Sequence, residues 1–181
     1  TTRLLFVADY GNGRLVALDS DTLQWAFELG AGCGLDLPGG VAVDDDLVAV
    51  IDSAHSHVAL FSSFRRRLVR TIGRKGSGPG DFQQPVGVAL RGGRLYVSEG
   101  VGQRLQVFSV EGAVLQVVHT PGALSGLAID ALGVVIVVDH HSCSLRFMST
   151  RKRRAAVPPY LDVRLTVSPT PPVDAMSRMS L

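Results

Sequence analysis

The chain has 181 residues, 46% hydrophobic and 19% charged, which is enough apolar material for a domain with a real core. Its formal net charge of +2 is too small to mark a nucleic-acid binder by itself. The longest apolar run, Gly133 to Val138, falls far short of the ~20 residues a membrane-crossing helix needs, so no membrane insertion is expected.

Long helix-forming runs are scarce, and Val, Leu and Gly punctuated by turn residues favour an all-β chain. Cys33 and Cys143 are too few for a disulfide framework, which favours a reducing, cytoplasmic setting. In chain order, an apolar run closing on an acid occurs four times. "LLFVAD" ends at Asp9, "LVAVID" at Asp52, "RLYVSE" at Glu99 and "VVIVVD" at Asp139, at intervals of 43, 47 and 40 residues. Five positions after each acid stands Arg14, His57, Arg104 or Ser144, followed by a second apolar run. Before the last three acids lies another anchor, "PGGVAV", "PVGVAL" or "LSGLAI", in which Gly40, Gly87 and Gly126 precede their acids by 12, 12 and 13 residues.

Each unit reads as four short strands. Strand a is the "GVAV" run, strand b ends on the acid, strand c follows it, and strand d precedes the next glycine-rich loop. Strand a is apolar throughout, as in a strand covered on both faces. One unit cannot bury its own sheet, so neighbours must stack. Four strands repeating every 40 to 50 residues or so is the signature of β-propeller sheets. The glycine-rich loop "GRKGSGPGDFQQPVG" could suggest a phosphate cradle, but Gly80 is followed by Asp81, Phe82 and a strand. A phosphate loop needs Lys-Ser or Lys-Thr and a helix there. It therefore reads as a joint between units.

At these residues the sequence resembles the NHL-repeat family. "GSGPGDFQQPVGVAL…RLYVSEGVGQRLQVF" (Gly76 to Phe108) carries the resemblance most specifically, and "LFVADYGNGRLVAL" (Leu5 to Leu18) matches the b–c half of a repeat. The copies at residues 37–73 and 123–148 are degenerate. The resemblance implies a propeller used as a recognition platform, as in tripartite-motif and other ubiquitin ligases and in bacterial sensor kinases. One enzyme, the peptidyl amidating lyase, shares that fold. No paired C-x-x-C zinc pattern occurs, so any ligase activity would reside outside these residues.

The units expected are 1–36, 37–83, 84–122 and 123–148, the last extending to about 167. Residues 149–181 form a basic, then proline-rich segment, with disorder expected over 168–181. "YLDVRLTV" (Tyr160 to Val167) alternates as a last d strand or as a closing inner strand; Asp162, Arg164 and Thr166 disfavour the inner place. With four units, the first lacking strand a, the expectation is a partial ring. A closed four-sheet ring is the alternative.

Up-and-down topology puts the b–c and d–a loops on one face, where propeller ligands usually sit. That face offers Tyr10, Asn12, His55, Arg74, Lys75, Gln103, His140 and His141 as binding candidates. The repeated pairs Asp9/Arg14 and Glu99/Arg104, with Asp52, His57 and Asp139, read as structural ties of the b–c turn. His55-Ser-His57 and His140-His141-Ser-Cys143 have metal-like spacing but lie in different units, so no metal site is assigned. No small-molecule cofactor is expected either. The opposite face carries Arg65, Arg66, Arg67 and Arg70, and Arg151, Lys152, Arg153 and Arg154, an alternative RNA surface with Phe64 as the one stacking candidate. The function expected is a non-catalytic scaffold for a protein partner. RNA binding, or a metal-dependent lyase or lactonase, is the alternative.

Overall fold

The computed structural model describes residues 3–149 and 160–164, which form antiparallel strands joined by loops, with one 3-10 turn at Tyr10–Asn12. The first sheet has three strands, β1 (Leu4–Asp9), β2 (Arg14–Asp19) and β3 (Trp25–Leu29). The second holds β4 (Pro38–Asp44), β5 (Leu47–Asp52), β6 (His57–Ser62) and β7 (Arg67–Ile72). The third holds β8 (Pro85–Arg91), β9 (Arg94–Glu99), β10 (Arg104–Ser109) and β11 (Val114–His119). The fourth holds β12 (Leu124–Ile129), β13 (Val134–Asp139), β14 (Ser144–Ser149) and β15 (Tyr160–Arg164).

Strands run in chain order across every sheet, so each unit is a meander of the a, b, c and d strands. Among the described residues the first sheet consists of b, c and d alone. β15 takes the outer, d position beside β14. Residues 165–167, the basic Arg151–Arg154 and the tail 168–181 lie outside the described residues. The a strands lie side by side, β4 against β8 and β8 against β12, while β1 packs against β4. Strand a is therefore the inner strand, and the sheets fan around a common axis as an open arc of a β-propeller.

The core sits between sheets, in three layers that follow from the period-2 alternation of each strand. Leu15, Ala17, Phe27 and Leu29 meet Val48, Val50, Ala59 and Phe61 at the first joint. Ala49, Ile51, Val58, Leu60 and Ile72 meet Phe82, Val88, Leu95, Val97 and Phe108 at the second. Ala89, Tyr96, Leu105 and Val107 meet Leu124, Val135 and Val137 at the third. Leu105 and Val107 face the fourth sheet while Phe108 faces the second, so strand c splits its alternate residues between two joints.

The inner strands approach so closely that a side chain is excluded at one recurring place. A Cβ on Gly87 would lie 2.6 Å from Ser98 Oγ, 2.7 Å from the Ser125 carbonyl oxygen and 3.0 Å from the Leu127 nitrogen. On Gly40 it would lie 3.0 Å from the Val86 carbonyl oxygen, but on Gly126 nothing lies within 4 Å. The glycine is needed where another inner strand follows. Across this third joint Ser98 Oγ donates to the Ser125 carbonyl at 2.5 Å. Gly87→Ala is expected to lower stability by about 1–3 kcal/mol, the usual range for overpacking, and Gly126→Ala to leave it unchanged. Urea unfolding of the two variants side by side measures the difference.

Candidate functional site

Each b strand ends on its acid and strand c begins five residues later, so Asp9 faces Arg14, Asp52 His57, Glu99 Arg104 and Asp139 Ser144 across the ladder. The turn between them has four residues in each sheet and closes in the same way. Its last residue is left-handed in every sheet: Gly13 (φ 60), Ser56 (φ 54), Gln103 (φ 47) and Cys143 (φ 49). Glycine takes that conformation freely, while for the other three it costs on the order of 1 kcal/mol.

The acids anchor this face. In the third sheet Glu99 and Arg104 are buried, and Arg104 Nε donates to Glu99 Oε1 at 2.6 Å. The remaining guanidinium donors reach the carbonyls of Ser77 (2.7 Å), Gly78 (3.2 Å) and Asp81 (2.9 Å) in the d–a loop. The same loop gives the Gln83 N–H to Glu99 Oε2 at 2.6 Å, and the Gln106 amide bonds Glu99, the Asp81 carbonyl and the Gly80 N–H. The glycine-rich segment is thus a joint wrapped over a buried ion pair.

The second sheet solves the same problem with imidazoles. Asp52 accepts from the N–H groups of Asp36 and His55, both at 3.0 Å, and lies 2.9 Å from His55 Nδ1 and 3.6 Å from His57 Nε2. The two rings stack with centroids 5.7 Å apart. Burial pushes the Asp52 carboxyl upward, but the His55 ring, the two N–H groups and His57 outweigh it and hold the pKa below the usual carboxylate value. The hydrogen bond to Asp52 and its charge raise the His55 pKa, whereas burial lowers that of His57. In the fourth sheet the basic partner stands two residues beyond Ser144. Arg146 is buried and donates to Asp139 through Nε at 2.9 Å, while the N–H groups of His141 and Ser142 cap the other carboxylate oxygen. In the first sheet Asp9 meets Asn12 at 2.8 Å and Arg14 at 2.9 Å, and Arg14 reaches Glu28 at 2.7 Å.

These ties sort the binding candidates. Asn12 and His55 are engaged with their acids, and Arg74, though exposed, pairs with Asp81 at 3.0 Å. Tyr10, Lys75, Gln103, His140 and His141 are exposed, and their side chains make no hydrogen bond or ion pair among the described residues. Lys75 borders an open cleft of ≈ 590 Å³ between the second and third sheets, lined also by Ser53, Ser56, Gly76, Ser77, Phe82, Gln83, Gln84 and Val101. Apart from Lys75, sequence reasoning missed the residues that line this cleft. The loops that form it are adjacent in repeat position, which is the only signal that could have found it. His140 and His141 lie in the turn of the fourth sheet, outside that lining. Among the described residues no three His, Cys, Asp or Glu side chains come together as a metal-binding group.

On the opposite face, Asp46 in the a–b turn of the second sheet holds its c–d turn through Ser62, Ser63 and the Phe64 N–H. Arg66 stacks over Phe27 at 4.4 Å and Arg70 donates to the Glu111 carbonyl at 2.6 Å, so two of the four arginines there serve packing. Phe64 is 87% exposed.

The chain matches no family model, and no curated protein matches it in sequence. Solved structures do match. Hydrazine synthase from Kuenenia stuttgartiensis superposes with a TM-score of 0.65 at 16% identity, covering 89% of this chain and 46% of that one. The WD40 repeats of RRP9 give 0.69 at 11%, covering 88% and 47%, and streptogramin B lyase 0.70 at 9%, covering 90% and 51%. The likeness is one of fold: the chain is a β-propeller arc that spans about half the length of these structures.

Two outcomes follow from the acids. Glu99→Ala leaves Arg104 buried without its carboxylate and is expected to cost about 3–5 kcal/mol in urea unfolding, clearly more than Asp9→Ala at its part-exposed pair. For Asp139, burial raises the pKa, but the Ser142 N–H and Arg146 bring it below its ordinary 3.8. A depressed carboxylate adds stability above its unfolded pKa and loses it as pH falls through the folded one. The Tm of the wild-type chain should therefore fall more steeply below pH 3.8 than that of Asp139→Asn, which lacks this titration. The same decline of Tm with pH in both proteins would show that the carboxylate is not stabilising.

Proposed function

We propose that this chain is a non-catalytic binding module that receives a protein partner on the face of its b–c and d–a loops. The observation that carries the reading is the cleft between the second and third sheets, whose rim holds Lys75 while the neighbouring acids are consumed in holding the loops. Side chains without an internal task, Tyr10, Gln103, His140 and His141, lie on the same face. A polar-rimmed cleft with an apolar contribution from Val101 suits a peptide segment or loop carrying at least one carboxylate. The resemblance of Gly76–Phe108 to NHL repeats supports the same use. We extend the proposal to substrate recognition within a ubiquitin-ligase-type protein, the catalytic part lying elsewhere.

RNA binding through the basic turns is the second reading. It draws on Phe64, exposed beside Arg65 and Arg67 in the manner of a stacking residue. The enzyme reading, a metal-dependent lyase or lactonase, would gain from stoichiometric zinc or calcium in the purified chain.

One experiment separates the two faces. The chain is used as bait in a pull-down, beside a variant with Arg74, Lys75, His140 and His141 changed and another with Arg65, Arg66 and Arg67 changed to Ala. Capture of a protein partner should fall by about tenfold or more in the first variant and persist in the second. Equal capture by the first would exclude that face. Retention of RNA that weakens steeply with salt and disappears in the second variant would favour the alternative.

A further inference from the structure

The second sheet pairs its acid differently from the others. Asp9, Glu99 and Asp139 meet Arg14, Arg104 and Arg146, and a guanidinium keeps its charge at any pH a protein survives. Asp52, fully buried, meets two imidazoles instead. Both converge on one oxygen, Oδ2, with His55 Nδ1 at 2.9 Å and His57 Nε2 at 3.6 Å. The rings lie 21° from parallel with centroids 5.7 Å apart, so a charge on one faces a charge on the other. Their surroundings differ, the His55 side chain being 52% exposed and that of His57 21%. The charges of Asp52 and Asp36 act on His55, and those of Asp52 and His55 on His57. Asp36, in the loop before β4, also gives its N–H to Asp52 Oδ2 at 3.0 Å. Ser53 and Ser56, in the same turn as His55, line the cleft that Lys75 borders from the loop before β8.

We propose that Asp52, His55 and His57 form a proton-operated latch on this wall of the cleft, tightest when the two rings hold one proton between them and looser when they hold two or none. With one proton on His55, Nδ1–H gives Asp52 a charge-assisted bond while His57 stays neutral. With none, His55 keeps at most a neutral Nδ1–H bond, and the buried carboxylate loses its cation. With two, the second charge is forced into the less exposed ring beside the first. The directions of titration agree with this geometry. The hydrogen bond to Asp52 and its charge raise the His55 pKa above 6.5, so that tightening is complete below 6.5 and is lost as pH rises through the folded-state value. Burial lowers the His57 pKa, and the His55 charge acts in the same direction, so the closed turn resists the second proton and loosens as pH falls below 6.5. The latch operates whatever the cleft binds.

Amide hydrogen exchange of the full chain, read by NMR and corrected for the intrinsic pH dependence of exchange, tests this. Protection of the Asp36 and His55 amides, which both donate to Asp52, should peak near pH 6.5. It should fall about two- to fivefold toward roughly pH 8 and again toward roughly pH 5, as suits a part-exposed ion pair of imidazoles. The Gln83 amide makes the equivalent bond to Glu99, whose cation is Arg104, and its protection should stay constant. His55→Gln should remove the fall on the alkaline side, and His57→Gln the fall on the acid side. A second measurement needs no variant: the ring Cε1–H resonances of the wild type should titrate above 6.5 for His55 and below it for His57. Flat protection at Asp36 and His55, the same profile at Gln83, an alkaline fall that survives His55→Gln, or coincident ring titrations would each overturn the proposal.

Discussion

Everything on the loop face depends on a carboxylate driven into the protein at the end of each b strand. A charge there is tolerated only if N–H groups and a cation reach it, because an isolated buried carboxylate is too costly to keep ionised. The chain supplies those partners from two directions. The turn immediately after the acid gives side chains or N–H groups of its own sheet, and the d–a loop brings an N–H from 16 residues upstream, Asp36 to Asp52 and Gln83 to Glu99. The acid therefore locks the turn and the joint together. In the first sheet no such loop precedes the acid among the described residues, and Asp9 stays partly exposed.

The apolar part of the fold obeys a similar logic of neighbours. No sheet has a core of its own, and every core layer is shared by two. Such an arrangement makes stability a sum over joints, each requiring that alternate residues of strands b and c be apolar on both sides. The same arrangement explains why a glycine sits in strand a. At Gly87 the adjacent inner strand occupies the volume a side chain would need, and at Gly126, which no further inner strand adjoins among the described residues, a Cβ would meet nothing within 4 Å.

Much of this was legible in the sequence because repetition amplifies weak signals. The acid, the residue five places on and the inner-strand glycine fixed the b, c and a strands in register, and all three recur in the sheets. The ties themselves were harder to read. Where Ser144 stands in the place of Arg104, the cation has moved to Arg146, which is on the same side of the strand two residues later. Period-2 geometry allows that exchange, but nothing local announces it. The roles of Asn12 and Arg74 were likewise hidden, because each is decided by a carboxylate three to seven residues away. The cleft beside Lys75 is formed by loops of two different sheets, and no linear pattern marks a space between them.

The left-handed residue that ends each b–c turn has a consequence for how this surface can diversify. With Gly13, Ser56, Gln103 and Cys143 all left-handed, the turns "YGNG", "SAHS", "GVGQ" and "HHSC" share one length and one closing conformation despite their different lettering. Such a surface behaves as a fixed keyboard: its chemistry can be rewritten key by key, by point substitution, with no loop having to lengthen or refold.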